Sequence, residues 1–233
     1  MSTRTAHNPS APLAIETRQL RFRWPGQSRT LSFPNIQLQQ GEHLFLHGPS
    51  GTGKSTLLSM LSGMMVPESG TVDILGQSLG TLKAGSRDRF RADHLGVIFQ
   101  QFNLVPYLSA LANVILPCQL SVSRRTKAKP DARAAGVELL GQLAIPEYLW
   151  HRNVTDMSIG QQQRVAAARA LIGAPEIILA DEPTSALDTD NRDRFLDLLL
   201  TLADQRHCSV VFVSHDQSLA RHFHQQLALE NEA

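Results

Sequence analysis

Residues 48–55 read Gly48-Pro49-Ser50-Gly51-Thr52-Gly53-Lys54-Ser55, a G-x-x-x-x-G-K-[S/T] run. Glycines at this spacing let successive backbone N–H groups turn inward around phosphate oxygens, and a helix following them presents its positive end. Lys54 has the reach for β and γ phosphates, Ser55 offers a hydroxyl to Mg2+, and Thr56 extends the binding run. A second reactive group lies far along the chain, where the apolar run Ile177-Ile178-Leu179-Ala180 ends in Asp181-Glu182. A buried strand ending in two acids can deliver one carboxylate, Asp181, to Mg2+ directly or through water. The next, Glu182, is placed to orient or deprotonate an attacking water. Together these residues describe a nucleoside triphosphate site.

The elements that must hold these groups are legible in outline. Residues 14–24 alternate roughly between apolar and polar, Pro25-Gly26-Gln27-Ser28 makes a turn, and Thr30 to Leu38 returns as a second strand, so the start is an antiparallel β region. After the Gly41-Glu42 turn, His43 to His47 is a short apolar strand that stops at Gly48. Ser55 to Ser62 has helical spacing in Leu57, Leu58 and Leu61, with Gly63 as its stop. Thr71–Leu75 and Val97–Phe99 are strand-like. From about Gln100 to Met157 strand signals vanish; Arg133 to Leu143 is amphipathic, and the basic segment Arg124 to Pro130 reads as a solvated loop between helices, with no aromatics to suggest nucleic acid. Beyond Met157, helices alternate with the runs at Ile177 and Val210–Val213, with one helix over Asn191–Leu202, which indicates a buried parallel sheet. The fold class is α/β, a mixed β core interrupted by a helical insertion.

Composition bounds the rest. A chain of 233 residues, 42% hydrophobic and 18% charged, can bury a core without disulfide or metal staples and is neither disordered throughout nor a coiled coil. Lys plus Arg (22) nearly cancel Asp plus Glu (21), so no global field draws it to nucleic acid or lipid headgroups. Cys118 and Cys208 are expected to be small buried apolar residues in a reducing compartment. No run approaches the roughly 20 apolar residues that span a bilayer, and residues 1–12 are expected to form a loose tail that is no signal peptide. These features point to a cytoplasmic chain.

Met157-Ser158-Ile159-Gly160-Gln161-Gln162-Gln163-Arg164 adds a Ser-x-x-Gln capping box that should start a helix at Ser158. In this order, after the phosphate loop and shortly before the acidic strand, the run resembles the LSGGQ signature of the ATP-binding subunits of ABC transporters, and the resemblance covers nearly the whole chain. It implies a P-loop ATPase over residues 13–233, with a helical subdomain at about 100–172. It also implies that Ser158, Gly160 and Gln161 contact ATP held by a second copy, in a head-to-tail dimer closed around two ATPs. Ile159 stands where the family usually has glycine, which leaves open the backbone geometry of the donors there. By the same resemblance Trp24 stacks on adenine, Gln100 senses Mg2+ and water, and His215 contacts the γ-phosphate. Gln101 leaves the choice between two glutamines open. Ser185-Ala186-Leu187-Asp188 matches the loop that communicates across the dimer. The other eight histidines have no such match and are expected at the surface.

Phe99 to Pro106, with Asn113-Val114 and Pro117, resembles the branch of lipoprotein release, macrolide and glycolipid export and the cell-division pair. The resemblance implies an ATPase that drives a separate membrane permease, peripheral on the inner membrane face, with export favoured over import and no contact with the cargo. The alternative within that branch is a complex that signals or transmits force without moving a substrate. A soluble ABC ATPase acting on DNA or ribosomes would carry zinc cysteines, a coiled-coil insertion or tandem units, which are missing here.

Overall fold

The computed structural model describes residues 12–185 and 187–230. Residues 1–11 of the expected tail lie outside the described residues; Pro12 already belongs to the fold, its carbonyl accepting a hydrogen bond from the Gln40 N–H at 3.0 Å.

Two sheets carry the fold, as the antiparallel start and the buried parallel runs of the sequence lead one to expect. The first is antiparallel and is built on β1 (Leu13–Arg23), which pairs with β2 (Thr30–Ser32), β3 (Gln37–Gln39) and β5 (Ser69–Ile74), the last extended by β6 (Gln77–Ser78). The expected single strand from Thr30 to Leu38 is thus two short strands. Pro34 has no N–H to give a ladder, and opposite it β1 bulges at Gln19, whose φ is 49° and whose N–H is taken by Asn35 Oδ1 at 2.8 Å.

The second sheet is wholly parallel. β4 (His43–His47) lies between β10 (Gln225–Ala228) and β9 (Ser209–Val213), followed by β8 (Ile177–Asp181) and β7 (Leu95–Ile98). Its central strands are almost completely buried, which is why they read as continuous apolar runs. The register sets Leu46, Val213 and Asp181 side by side, so the loops after β4, β8 and β9 emerge at one carboxyl edge. α1 (Lys54–Leu61) follows β4 directly and packs Leu57, Leu58 and Leu61 between the two sheets.

The layer from α3 onward is helical: α3 (Ala110–Leu120), α4 (Val122–Lys127), α5 (Ala132–Gln142) and α6 (Ile159–Leu171). α2 (Ala84–His94), α3 and β10 have no counterpart in the sequence reading. α2 buries no residue and so carries no apolar stripe, and α3 contains Pro117. Asn113, fully buried, explains part of the Phe99–Pro117 pattern: its amide accepts from Val105 N–H at 2.8 Å and donates to the carbonyls of Val105, Leu108 and Ser109.

Two expectations are overturned in this part of the chain and nearby. The segment 124–130 is not a solvated loop. Ser121 caps α4, and Arg124 is only 2% exposed, its guanidinium donating to the carbonyls of Ile172 (2.8 Å), Ala170 (2.7 Å) and Leu95 (3.3 Å). Ala170 and Ile172 close the last turn of α6, whose carbonyls have no partner within the helix. Burial pulls the guanidinium pKa down to about 10. Nor are all the remaining described histidines at the surface. His43 is buried at the start of β4, its Nε2 3.0 Å from Asp204 Oδ1 while Nδ1 accepts from Val210 N–H, and burial lowers its pKa. α7 (Thr189–Asp204) brings that aspartate across the sheet. Both cysteines are buried, as expected; burial first of all raises the thiol of Cys208 to about 12, so it is inert at neutral pH.

Candidate nucleotide site

The turn from β4 into α1 is made by glycines that nothing else could replace. Gly48 has φ 155°, and a Cβ there would lie 2.3 Å from the Leu229 carbonyl oxygen. Gly53, at φ 93°, caps α1 in the left-handed region with Leu31 and Phe33 against it. Between them Thr52 Oγ1 donates to Pro49 O at 3.0 Å, and Ser50 and Gly51 stay exposed at the tip. The Lys54 ammonium, 8% exposed as a residue, donates to the carbonyls of Gly48 (2.8 Å) and Pro49 (3.0 Å). These bonds hold the loop curled around a cation, with the amide groups of the α1 N-terminus at its base.

The acids meet this loop from β8. Asp181 hydrogen-bonds the Ser55 side chain; burial, helped by the neighbouring Glu182 charge, raises its pKa against the opposing pull of Ser55 and Lys54. Glu182 has φ 42°, and its N–H donates to Val213 O at 3.0 Å. A left-handed glutamate is a strained residue. This bend turns the carboxylate across the edge, where Oε1 lies 4.0 Å from Lys54 Nζ and Oε2 3.2 Å from His215 Nδ1. His215 follows β9 and its side chain is two-thirds exposed (67%). Asp216, next to it, is ion-paired to Arg192 of α7 and caps the following turn through Ser218 N–H at 2.9 Å. Lys54, Ser55, Asp181, Glu182 and His215 are thus brought together from three strand ends. This is the expected location for ligand binding in an open α/β sheet.

An adjoining recess of about 320 Å³ is lined by Trp24, Arg29, Gly51, Lys54, Ser55 and Thr56, among others. Trp24 is 43% exposed and meets Phe22 edge-on at 5.2 Å, so it is no core residue but a ring face beside the phosphate loop. Arg29 lines the same recess and was missed from sequence, since a lone arginine in a turn carries no pattern. The loop amides, the ammonium and the aromatic wall suit a nucleoside triphosphate. Ser55 hydroxyl and Asp181 carboxylate, already in contact, form the all-oxygen donor set that Mg2+ prefers.

Among the described residues the other expected site residues make no hydrogen bond to this cluster, although Phe99, just before Gln100, lines a small cavity with Ser55 and Asp181. Gln100 and Gln101 are exposed in the turn after β7. Ser158 caps α6: its Oγ accepts from Gln161 N–H at 3.3 Å, and Gln161 Oε1 accepts from Ser158 N–H at 2.9 Å. Among the described residues no hydrogen bond or ion pair joins residues 158–161 to the phosphate loop. Ile159 is 56% exposed as the first residue of α6 and has no positive φ, so the helix start needs no glycine angles there. Gly160 faces Leu187, whose Cδ2 would be 3.7 Å from an added Cβ. Of the loop at 185–188, Ala186 lies outside the described residues, and Asp188 caps α7 through Asn191 N–H.

Residues 31–185 match the family model of ABC transporters. The chain is 36% identical over 206 residues to the lipoprotein-releasing system ATP-binding protein LolD of Saccharophagus degradans, covering 88% of each chain. It is 40% identical over 196 residues to the ABC transporter ATP-binding protein YbbA of Escherichia coli K12, 84% of each. It is also 42% identical over 197 residues to the macrolide export ATP-binding/permease protein MacB of Escherichia coli, spanning 84% of this chain but 30% of that one. The dimeric, post-hydrolysis structure of the ATP-binding cassette MJ0796 bound to ADP and Pi superposes with a TM-score of 0.80 at 33% identity, covering 94% and 97% of the two chains. No helix among the described residues is long and apolar enough to cross a membrane. The phosphate loop, the acidic strand end and the capped helix of residues 158–171 therefore have a common explanation: the chain belongs to the ABC transporter family, as an ATP-binding, ATP-hydrolysing cassette.

Proposed function

We propose that this cassette powers an exporter, closing head-to-tail against a second copy and docking on a separate membrane permease at the inner face of the membrane. The observation that carries the catalytic part is the Lys54–Glu182–His215 cluster, with its 4.0 and 3.2 Å contacts at one sheet edge. Glu182 is held to take a proton from the attacking water, and Lys54 and His215 face the charge that develops on the γ-phosphate. Lys54 exchanges the carbonyls of Gly48 and Pro49 for phosphate oxygens, and the loop amides of residues 48–56 bind the rest. Trp24 covers the adenine. Ser55, Asp181 and Gln100 are the residues to hold Mg2+, which supplies charge neutralisation between the β and γ phosphates.

Ser158, Gly160 and Gln161, with no hydrogen bond or ion pair to this chain's own loop among the described residues, are the groups to face the ATP of a second copy. That MJ0796 is dimeric with ADP and Pi supports the arrangement. Residues 100–172 would move as one unit when the dimer closes. A cleft of about 600 Å³ lined by Met64, Val97, Phe99, Asn103, Pro117 and Leu120, with arginines at 89 and 91, lies beside Gln100 and offers the permease an apolar seat. Export is favoured because relatives are named for lipoprotein release and macrolide export.

Glu182→Gln tests the reading. The variant should bind ATP, accumulate as a dimer in size-exclusion chromatography, and hydrolyse at least about 10²-fold more slowly. Normal turnover would remove Glu182 from its role.

A further inference from the structure

α6 carries a cation that no step of hydrolysis uses. Arg169 lies eleven residues beyond Ser158, about 16 Å along the helix. It is half-buried, Nη1 donating to Asn103 O at 2.7 Å and Nη2 to Phe102 O at 2.6 Å. Its two acceptors are unusual. Phe102 and Asn103 are consecutive non-glycine residues in the left-handed region, at φ 58° and 48°. Asparagine tolerates this backbone, whereas a phenylalanine holds it only where its surroundings over-determine it. Phe102 is buried, and its N–H closes a turn onto Phe99 O at 2.9 Å; Asn103 N–H returns to Gln101 O at 2.6 Å. Gln100 sits inside that turn, so its backbone is fixed on one side by β7 and on the other by the guanidinium of Arg169. The planar fork of an arginine spans two successive carbonyls, which a lysine ammonium does not match. Burial lowers the Arg169 pKa, and among the described residues no carboxylate pairs with it. The desolvation is therefore offset by backbone carbonyls alone.

We propose that Arg169 is a positioning residue that ties the signature helix to the Gln100 turn, so that the helix beginning at Ser158 and the glutamine move together. The inference rests on the role given to Gln100 above. It is tested by ATP turnover of the full chain and of Arg169→Met, Arg169→Lys, Gln100→Ala and the Gln100→Ala/Arg169→Met double variant, each with its melting temperature. Arg169→Met should lower kcat about 10-fold with KM for ATP within about twofold, Arg169→Lys should fall between, and the double variant should be no slower than Gln100→Ala alone. Multiplicative losses, or a lowered melting temperature with kcat unchanged, would make Arg169 purely structural and overturn the inference. Where Arg169→Met does not fold, the cycle is run with Arg169→Lys and read the same way. Full turnover in Gln100→Ala overturns the role of Gln100 and this inference together. Absence of ATP hydrolysis by the unaltered chain instead defeats the proposed function itself.

Discussion

At the sheet edge Lys54 donates to the carbonyls of Gly48 and Pro49, six and five residues before it. In the helical layer Arg124 donates to carbonyls 29 to 48 residues away, on β7 and at the end of α6. Both are buried cations satisfied by backbone oxygens, yet they serve opposite ends. The lysine opens α1 beneath a loop with an exposed tip and an open recess beside it, so its partners can be exchanged for phosphate at little cost. The arginine, only 2% exposed, closes a helix terminus, where its loss leaves the carbonyls of three residues without their donor. What decides between a binding group and a structural one is whether a competing anion can reach the ammonium or guanidinium.

Substitutions can break this contrast. Lys54→Ala should have the largest effect, lowering kcat by about 10² or more through lost charge stabilisation, while thermal melting barely moves; steady-state ATPase assays and calorimetry on the same preparations check both halves. Arg124→Met should do the reverse. It strands the carbonyls of Ala170, Ile172 and Leu95, costing about 3 kcal/mol and roughly 6–12 °C in Tm, with turnover per folded molecule unchanged. A melting temperature insensitive to Arg124→Met would mean that the α6 terminus finds other donors.

The smallest effect concerns Glu176, where His94 and Lys127 converge at 3.0 and 2.6 Å. Burial raises its carboxyl, but the hydrogen bonds from His94 and Lys127 outweigh it and hold the pKa at about 2 against an ordinary 4.5. A carboxylate depressed in the folded state contributes stability above pH 4.5 that is lost as pH falls toward 2. Glu176→Gln should therefore flatten the acid limb of the stability curve over that window and lower stability slightly at neutral pH, as followed by urea unfolding against pH.

Much of the site was readable because its requirements are local. A phosphate loop must carry glycines at fixed offsets, a capping box must place Ser158 and Gln161 three residues apart, and fully buried parallel strands must be apolar throughout. Arg124 shows where this fails. Its segment is basic and polar, and nothing within ten residues signals that its guanidinium is needed by a helix end near residue 172. His43 is similar, buried because its strand has neighbours on both sides and met there by Asp204 from another element. The break of the expected Thr30–Leu38 strand was signalled locally by Pro34, whereas the bulge at Gln19 that accepts it appears only once β1 has three neighbours.

From the sequence alone came the family resemblance, the phosphate-binding chemistry, the two acids and the capped helix, because each depends on residue types at short, fixed spacing. The tertiary structure alone decided that Glu182 bends back between Lys54 and His215, that Trp24 faces a recess, and that two arginines are anchored on carbonyls of distant elements. Those outcomes depend on which buried backbone groups lack a partner after the sheets and helices have packed, and that is a property of the assembled fold.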